Sequence, residues 1–84
     1  MLLFIAQCSL QDLTETEWLD LKRCVTLTCT QFTRWQRPVR LVRSLLTPSE
    51  ADCIFLFEGT EAAHVRDACE AAQLPFRRIV EVIE

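Results

Sequence analysis

Cys53-Ile54-Phe55-Leu56-Phe57 is an unbroken apolar run that contains two aromatic rings. Thr47-Pro48-Ser49-Glu50 precedes it and Glu58-Gly59-Thr60 closes it, both turn-like in composition. The run is too short for an ordinary helix, and its aromatic and β-branched content predicts a strand. Along a strand the side chains alternate, so Ile54 and Leu56 share one face and Cys53, Phe55 and Phe57 the other. Both faces are apolar. Such a strand belongs in the middle of a sheet covered on both sides, and the remaining elements have to be arranged around it.

The chain has 84 residues and reads as one domain over 1–84. A domain of this size buries only about 60% of its unfolded surface, so a partner subunit is a common source of further stability. Residues 2–8 form a first strand, with Leu3, Ile5 and Gln7 on one face and Phe4, Ala6 and Cys8 on the other. Residues 9–13 connect it to a helix. Thr14-Glu15-Thr16-Glu17 has the spacing of a capping box, and Leu13 and Trp18 stand at the positions of a hydrophobic staple. Trp18, Leu21, Val25, Thr28 and Phe32 then recur at intervals of three and four, which predicts an amphipathic helix over 15–32. Pro38 prevents the helix from resuming.

A second strand is expected over 39–46. Residues 47–51 form a hairpin loop with Pro48 at the second position of a type I turn, and the opening run is strand three. Thr60 is placed to cap a second helix, with Glu61 near its positive end. Ala62, Val65, Ala68, Cys69 and Ala72 give that helix a shallow apolar side, and Leu74-Pro75 ends it. Residues 78–83 form strand four. The order is βαββαβ, an α+β ferredoxin-like sandwich with a four-stranded antiparallel sheet and both helices on one face. That topology centres strands one and three, the two most apolar. The other face then carries apolar side chains from four strands, more than a soluble monomer normally exposes. The expected cover is a second copy, giving a dimeric α/β-barrel-like homodimer.

Composition narrows the function classes. The net charge of −3 argues against a general nucleic-acid role. Arg34, Arg37, Arg40 and Arg43 recur beside Trp35, but they straddle linker and strand and do not share a face. The first eight residues lack the positive flank of an export signal, and no segment approaches a membrane span. The count of five cysteines is odd and includes no CxxC pair, which predicts reduced thiols in a cytoplasmic protein.

Three pieces of the C-terminal half resemble one family. Val42-Arg43-Ser44 is similar to its strand-two motif. Phe57-Glu58-Gly59-Thr60-Glu61 followed by Val65-Arg66 is similar to its entry into helix two. Ala71-Ala72-Gln73-Leu74-Pro75-Phe76 with Arg78-Ile79 is similar to the exit from that helix. The family is a ferredoxin-like domain-of-unknown-function group typified by a small bacterial nickel-binding protein, and residues 39–83 carry the likeness. It implies the fold and a dimer. Nickel does not follow, because Ala68 stands where many members have histidine. Gln73 replaces a helix-ending glycine, a substitution costing about 1 kcal/mol if the left-handed geometry is kept.

Candidate chemistry is sparse. There is no Ser-His-Asp set, glycine-rich phosphate loop or paired-carboxylate signature, so no catalytic residue is assigned. His64 is the only imidazole, is expected to face solvent, and lacks partners for a metal site. Cys24 and Cys29 fall on different faces of helix one, and Cys8 and Cys53 are expected to be buried neighbours on the central strands. Gln7, Arg43 and Glu81 are the polar interruptions of the alternations Leu3-Ile5-Gln7, Leu41-Arg43-Leu45 and Ile79-Glu81-Ile83. All three are expected on the helix-free face, either pairing Arg43 with Glu81 across a dimer or lining a site for a small anionic ligand. Three functions follow: a non-catalytic dimeric binding or interaction module, a binder of nickel or a soft divalent metal, or a small dimeric-barrel enzyme with a pocket on that face.

Overall fold

The computed structural model describes residues 1–9, 13–47 and 52–83. Six elements follow in the expected order: β1 (Leu2–Ser9), α1 (Glu15–Arg34), β2 (Val39–Thr47), β3 (Asp52–Gly59), α2 (Ala62–Ala71) and β4 (Phe76–Val82). They form a ferredoxin-like α+β sandwich, an antiparallel sheet in the order β2-β3-β1-β4 with both helices on one side. The apolar strand β3 lies in the middle beside β1. The expected turn at Pro48 and most of the first connection lie outside the described residues.

Burial alternates residue by residue along both central strands. Phe4, Ala6 and Cys8 of β1 and Cys53, Phe55 and Phe57 of β3 are buried beneath the helices. From above, α1 contributes Val25, Cys29 and Phe32, and α2 contributes Val65, Ala68 and Cys69. Cys29 takes the place in the α1 stripe that periodicity gave to Thr28. Trp18 packs its ring on Phe55 with centroids 5.4 Å apart, an aromatic pair worth about 1 kcal/mol beyond its buried area.

The capping box of α1 is closed in both directions. The Glu17 amide donates to Thr14 Oγ1 at 3.1 Å, and the Thr14 amide donates to Glu17 Oε1 at 3.2 Å. Thr60 does not cap α2. The N-cap is Glu61, with no side-chain cap bond, and the Thr60 hydroxyl is engaged by His64 instead. Both helices end alike. Gln36 (φ 63°) and Gln73 (φ 59°) turn left-handed. The amides of Arg37 and Leu74 then reach back to the carbonyls of Phe32 and Cys69, each at 2.9 Å. This is the Schellman arrangement usually built on glycine. It carries α1 two residues past its expected end.

Two bulges decide which side chains face away from the helices. Leu41 pairs with Phe57 while Arg43 pairs with the adjacent Leu56, so Val42 is an extra residue in β2. Gln7 pairs with Arg78 and Cys8 with Phe76, so Arg77 is extra in β4. The single glycine, Gly59, sits at the end of β3, where an added Cβ would lie 3.1 Å from the Pro38 carbonyl oxygen.

Candidate binding face on the bare side of the sheet

Residues paired across antiparallel strands point to the same side. The helix-free face can therefore be laid out in rows running from β2 through β3 and β1 to β4. One row is Leu45, Ile54, Gln7, Arg78; the next is Arg43, Leu56, Ile5, Val80; the third is Arg40, Glu58, Leu3, Val82. Six of these apolar side chains are half-buried in the isolated chain, and Leu45 is 52% exposed. No helix covers them.

Gln7 and Arg43 lie on this face, as their strand positions predict. For Arg43 the route differs. Leu41 points to the helix side, and only the extra residue at Val42 turns Arg43 outward, so the alternation Leu41-Arg43-Leu45 does not share one face. Glu81 is corrected. It pairs with Phe4, whose ring is buried under the helices, so it projects to the helix side of the edge strand. Its neighbour Ile79 packs against the core. The position expected for Glu81 is filled by Arg78, whose Nε donates to Gln7 Oε1 at 2.8 Å. An Arg43–Glu81 pair across two helix-free faces is thereby removed. The alternation Arg78-Val80-Val82 is as apolar as Ile79-Glu81-Ile83, so the pattern alone does not fix parity; Phe76 opposite Cys8 and the bulge at Arg77 do.

Charge on this face is unevenly neutralised. Arg40 bonds Glu58 at 3.1 Å, and Arg77 reaches Asp52 at 3.4 Å. Arg43 has no ion pair among the described residues, and Arg78 meets only a neutral amide.

His64 departs from the surface position expected of it. Its side chain is only 14% exposed, with Nε2 at 3.2 Å from Glu61 Oε2 and Nδ1 at 3.3 Å from Thr60 Oγ1. Both ring nitrogens are engaged locally, which leaves neither free for a metal. Among the described residues no three His, Cys, Asp or Glu side chains converge as a metal site. The described side chains therefore assemble no nickel-ligand set.

The thiols are structural in setting. Cys8 and Cys53 are register partners, and Cys8, Cys29, Cys53 and Cys69 are all buried. The hydrogen bond with Cys53, helped by burial, holds the Cys8 thiol well above the usual range. Burial pushes Cys29 up to about 11 and Cys69 up to about 12. Cys8, Cys29 and Cys69 are therefore neutral and unreactive at neutral pH, while the hydrogen bond from Cys8 lowers the Cys53 thiol against the opposing effect of its burial. Cys24 is exposed on α1.

A cleft of about 440 Å³ between α1 and β2 has no counterpart in the sequence reading. Cys29, Val39 and Leu41 line it, with Arg34 and Arg40 also contributing. The hydroxyls of Thr26, Thr30 and Thr33 bond the carbonyls of Lys22, Thr26 and Val39. They leave chiefly methyl groups for a ligand. The available signal was the run of small α1 side chains at 26, 29, 30 and 33 facing an edge strand.

No family model and no curated protein sequence matches the chain. Among solved structures it is similar to SCO4226 from Streptomyces coelicolor A3(2). The TM-score is 0.79 and the identity 17%, with 98% of this chain and 96% of that one covered. At that identity the likeness establishes the fold. No helix among the described residues is long and apolar enough to cross a membrane.

Proposed function

We propose that this chain is a non-catalytic, homodimeric binding or interaction module, two copies packing helix-free face on helix-free face. It would stand alongside the nickel-binding-protein-like family without that family's histidine metal site. The observation that carries the reading is the bare face itself. Leu3, Ile5, Leu45, Ile54, Leu56, Val80 and Val82, drawn from all four strands, are contiguous and uncovered by either helix. Contiguous apolar surface of this kind is what a sheet-to-sheet interface buries. A twofold pairing makes one patch serve both partners. The burial of four of the thiols and the engaged His64 support a role without thiol or imidazole chemistry, and five free cysteines suit the cytoplasm.

Leu56→Arg tests this, since Leu56 lies on a central strand in the middle row of the face. Burying an unpaired guanidinium there costs about 3–5 kcal/mol of association, while a monomer would simply solvate it. Sedimentation velocity is expected to report two subunits for the wild type and one folded subunit for Leu56→Arg. The control Leu27→Arg, on the exposed side of α1, should remain dimeric. A wild type that sediments as one subunit overturns the proposal.

A further inference from the structure

Among the described residues, each of the two carboxylates on the helix-free face already has a cation. Glu58 is held by Arg40 and Asp52 by Arg77. The other described acidic side chains belong elsewhere: Glu15, Glu17 and Asp20 to α1, Glu61, Asp67 and Glu70 to α2 and its N-cap, and Glu81 to the helix side of β4. An acidic protein thus presents a locally basic sheet face, with the surplus on Arg43 and Arg78.

Symmetry makes this surplus worse. The strand order places Arg43 on one edge of the sheet and Arg78 on the other. A twofold axis running along the strands sets β2 over β4 of the second copy, bringing Arg43 toward Arg78. An axis running across the strands sets β2 over β2, bringing Arg43 toward Arg43. In both cases cation faces cation, and among the described residues neither chain has a spare carboxylate on this face to place between them. Guanidinium groups leave water readily only when a planar or tetrahedral oxyanion takes their forked donors.

We infer that the homodimer uses the axis along the strands and holds a small oxyanion, a phosphate or a carboxylate, between its two sheets, with Arg43 of one copy and Arg78 of the other as donors. This rests on the dimer proposed above. Gln7 fixes the orientation of the Arg78 fork: its Oε1 occupies Nε and leaves the terminal nitrogens for the ligand. Once the two sheets pack, the apolar side chains on the inner side of each arginine, Leu56 beside Arg43 and Val80 beside Arg78, lower the local dielectric and strengthen the contact. The anion is then part of the assembly and the dimer a binding module for it.

The test measures the dimer dissociation constant by sedimentation equilibrium in chloride, inorganic phosphate or succinate at matched ionic strength. The wild type, Arg43→Gln, Arg78→Gln and the α2 control Arg66→Gln are compared. Phosphate or succinate is expected to tighten the wild-type and Arg66→Gln dimers at least tenfold over chloride, and the more effective anion identifies the ligand class. Arg43→Gln and Arg78→Gln are expected to dimerise more tightly than wild type in chloride and to lose the dependence on oxyanion. A wild-type dimer indifferent to all three anions overturns the anion site and leaves the dimer standing. A single subunit in every buffer overturns the dimer and the site together.

Discussion

Gln36 and Gln73 occupy left-handed backbone, a conformation in which a side chain's Cβ crowds the following carbonyl. The hydrogen bonds of both helix ends hold them there, so the strain is carried by the folded state. Replacing each with glycine is expected to stabilise the protein by about 1 kcal/mol, less a part returned through the freer unfolded chain. Urea unfolding of Gln36→Gly, Gln73→Gly and the double variant would show the two gains and, since the residues end different helices, their near-additivity. The thiols make a second statement at this scale. Cys29 and Cys69 are raised by burial from a usual value of 9.0 to about 11 and about 12. The folded chain therefore holds these protons more tightly than the unfolded one. Stability from the two thiols is complete below pH 9 and is lost as pH rises toward 11 and 12, at a limiting slope of about 1.4 kcal/mol per unit for each. Alkaline unfolding should show this fall, and Cys29→Ala with Cys69→Ala should flatten it. A thiol reagent at neutral pH should label Cys24 quickly and the other four only on unfolding.

At the scale of elements, the capping box, both helices and all four strands could be read from composition and period, because each depends on neighbours within a turn or a strand. The assignment of faces was less legible. Along β4 two interleaved apolar alternations compete, and the choice between them depends on Arg77 bulging out opposite β1, a contact separated by most of the chain. In β2 the extra residue at Val42 likewise reverses the parity between Leu41 and Arg43. Local sequence carries no signal for either. Thr60 had the right residue type for a cap but lies one residue too early, and His64 competes for its hydroxyl. Gly59 illustrates a constraint that is tertiary in origin. Its backbone lies against the Pro38 carbonyl where β2 begins, so Gly59→Ala forces two backbones apart by a few tenths of an ångström. A loss of about 1–3 kcal/mol is expected in thermal or urea unfolding.

The whole molecule divides into an acidic helical side and a basic, apolar sheet side. Among the described residues the helical side carries seven carboxylates to five cations, and the sheet side four cations to two carboxylates beside its uncovered apolar rows. Arg37 ties the two helices into one layer by pairing with Asp67 while its guanidinium lies 4.9 Å from the Phe32 ring centroid. With that layer fixed on one side, the proposed association uses the opposite face. Mass spectrometry under native conditions, run from micromolar down to nanomolar chain, tests this most directly. The expected result is twice the 9.7 kDa chain mass over most of that range, collapsing to the single mass in Leu56→Arg. A wild type that appears only at the single mass throughout would contradict it.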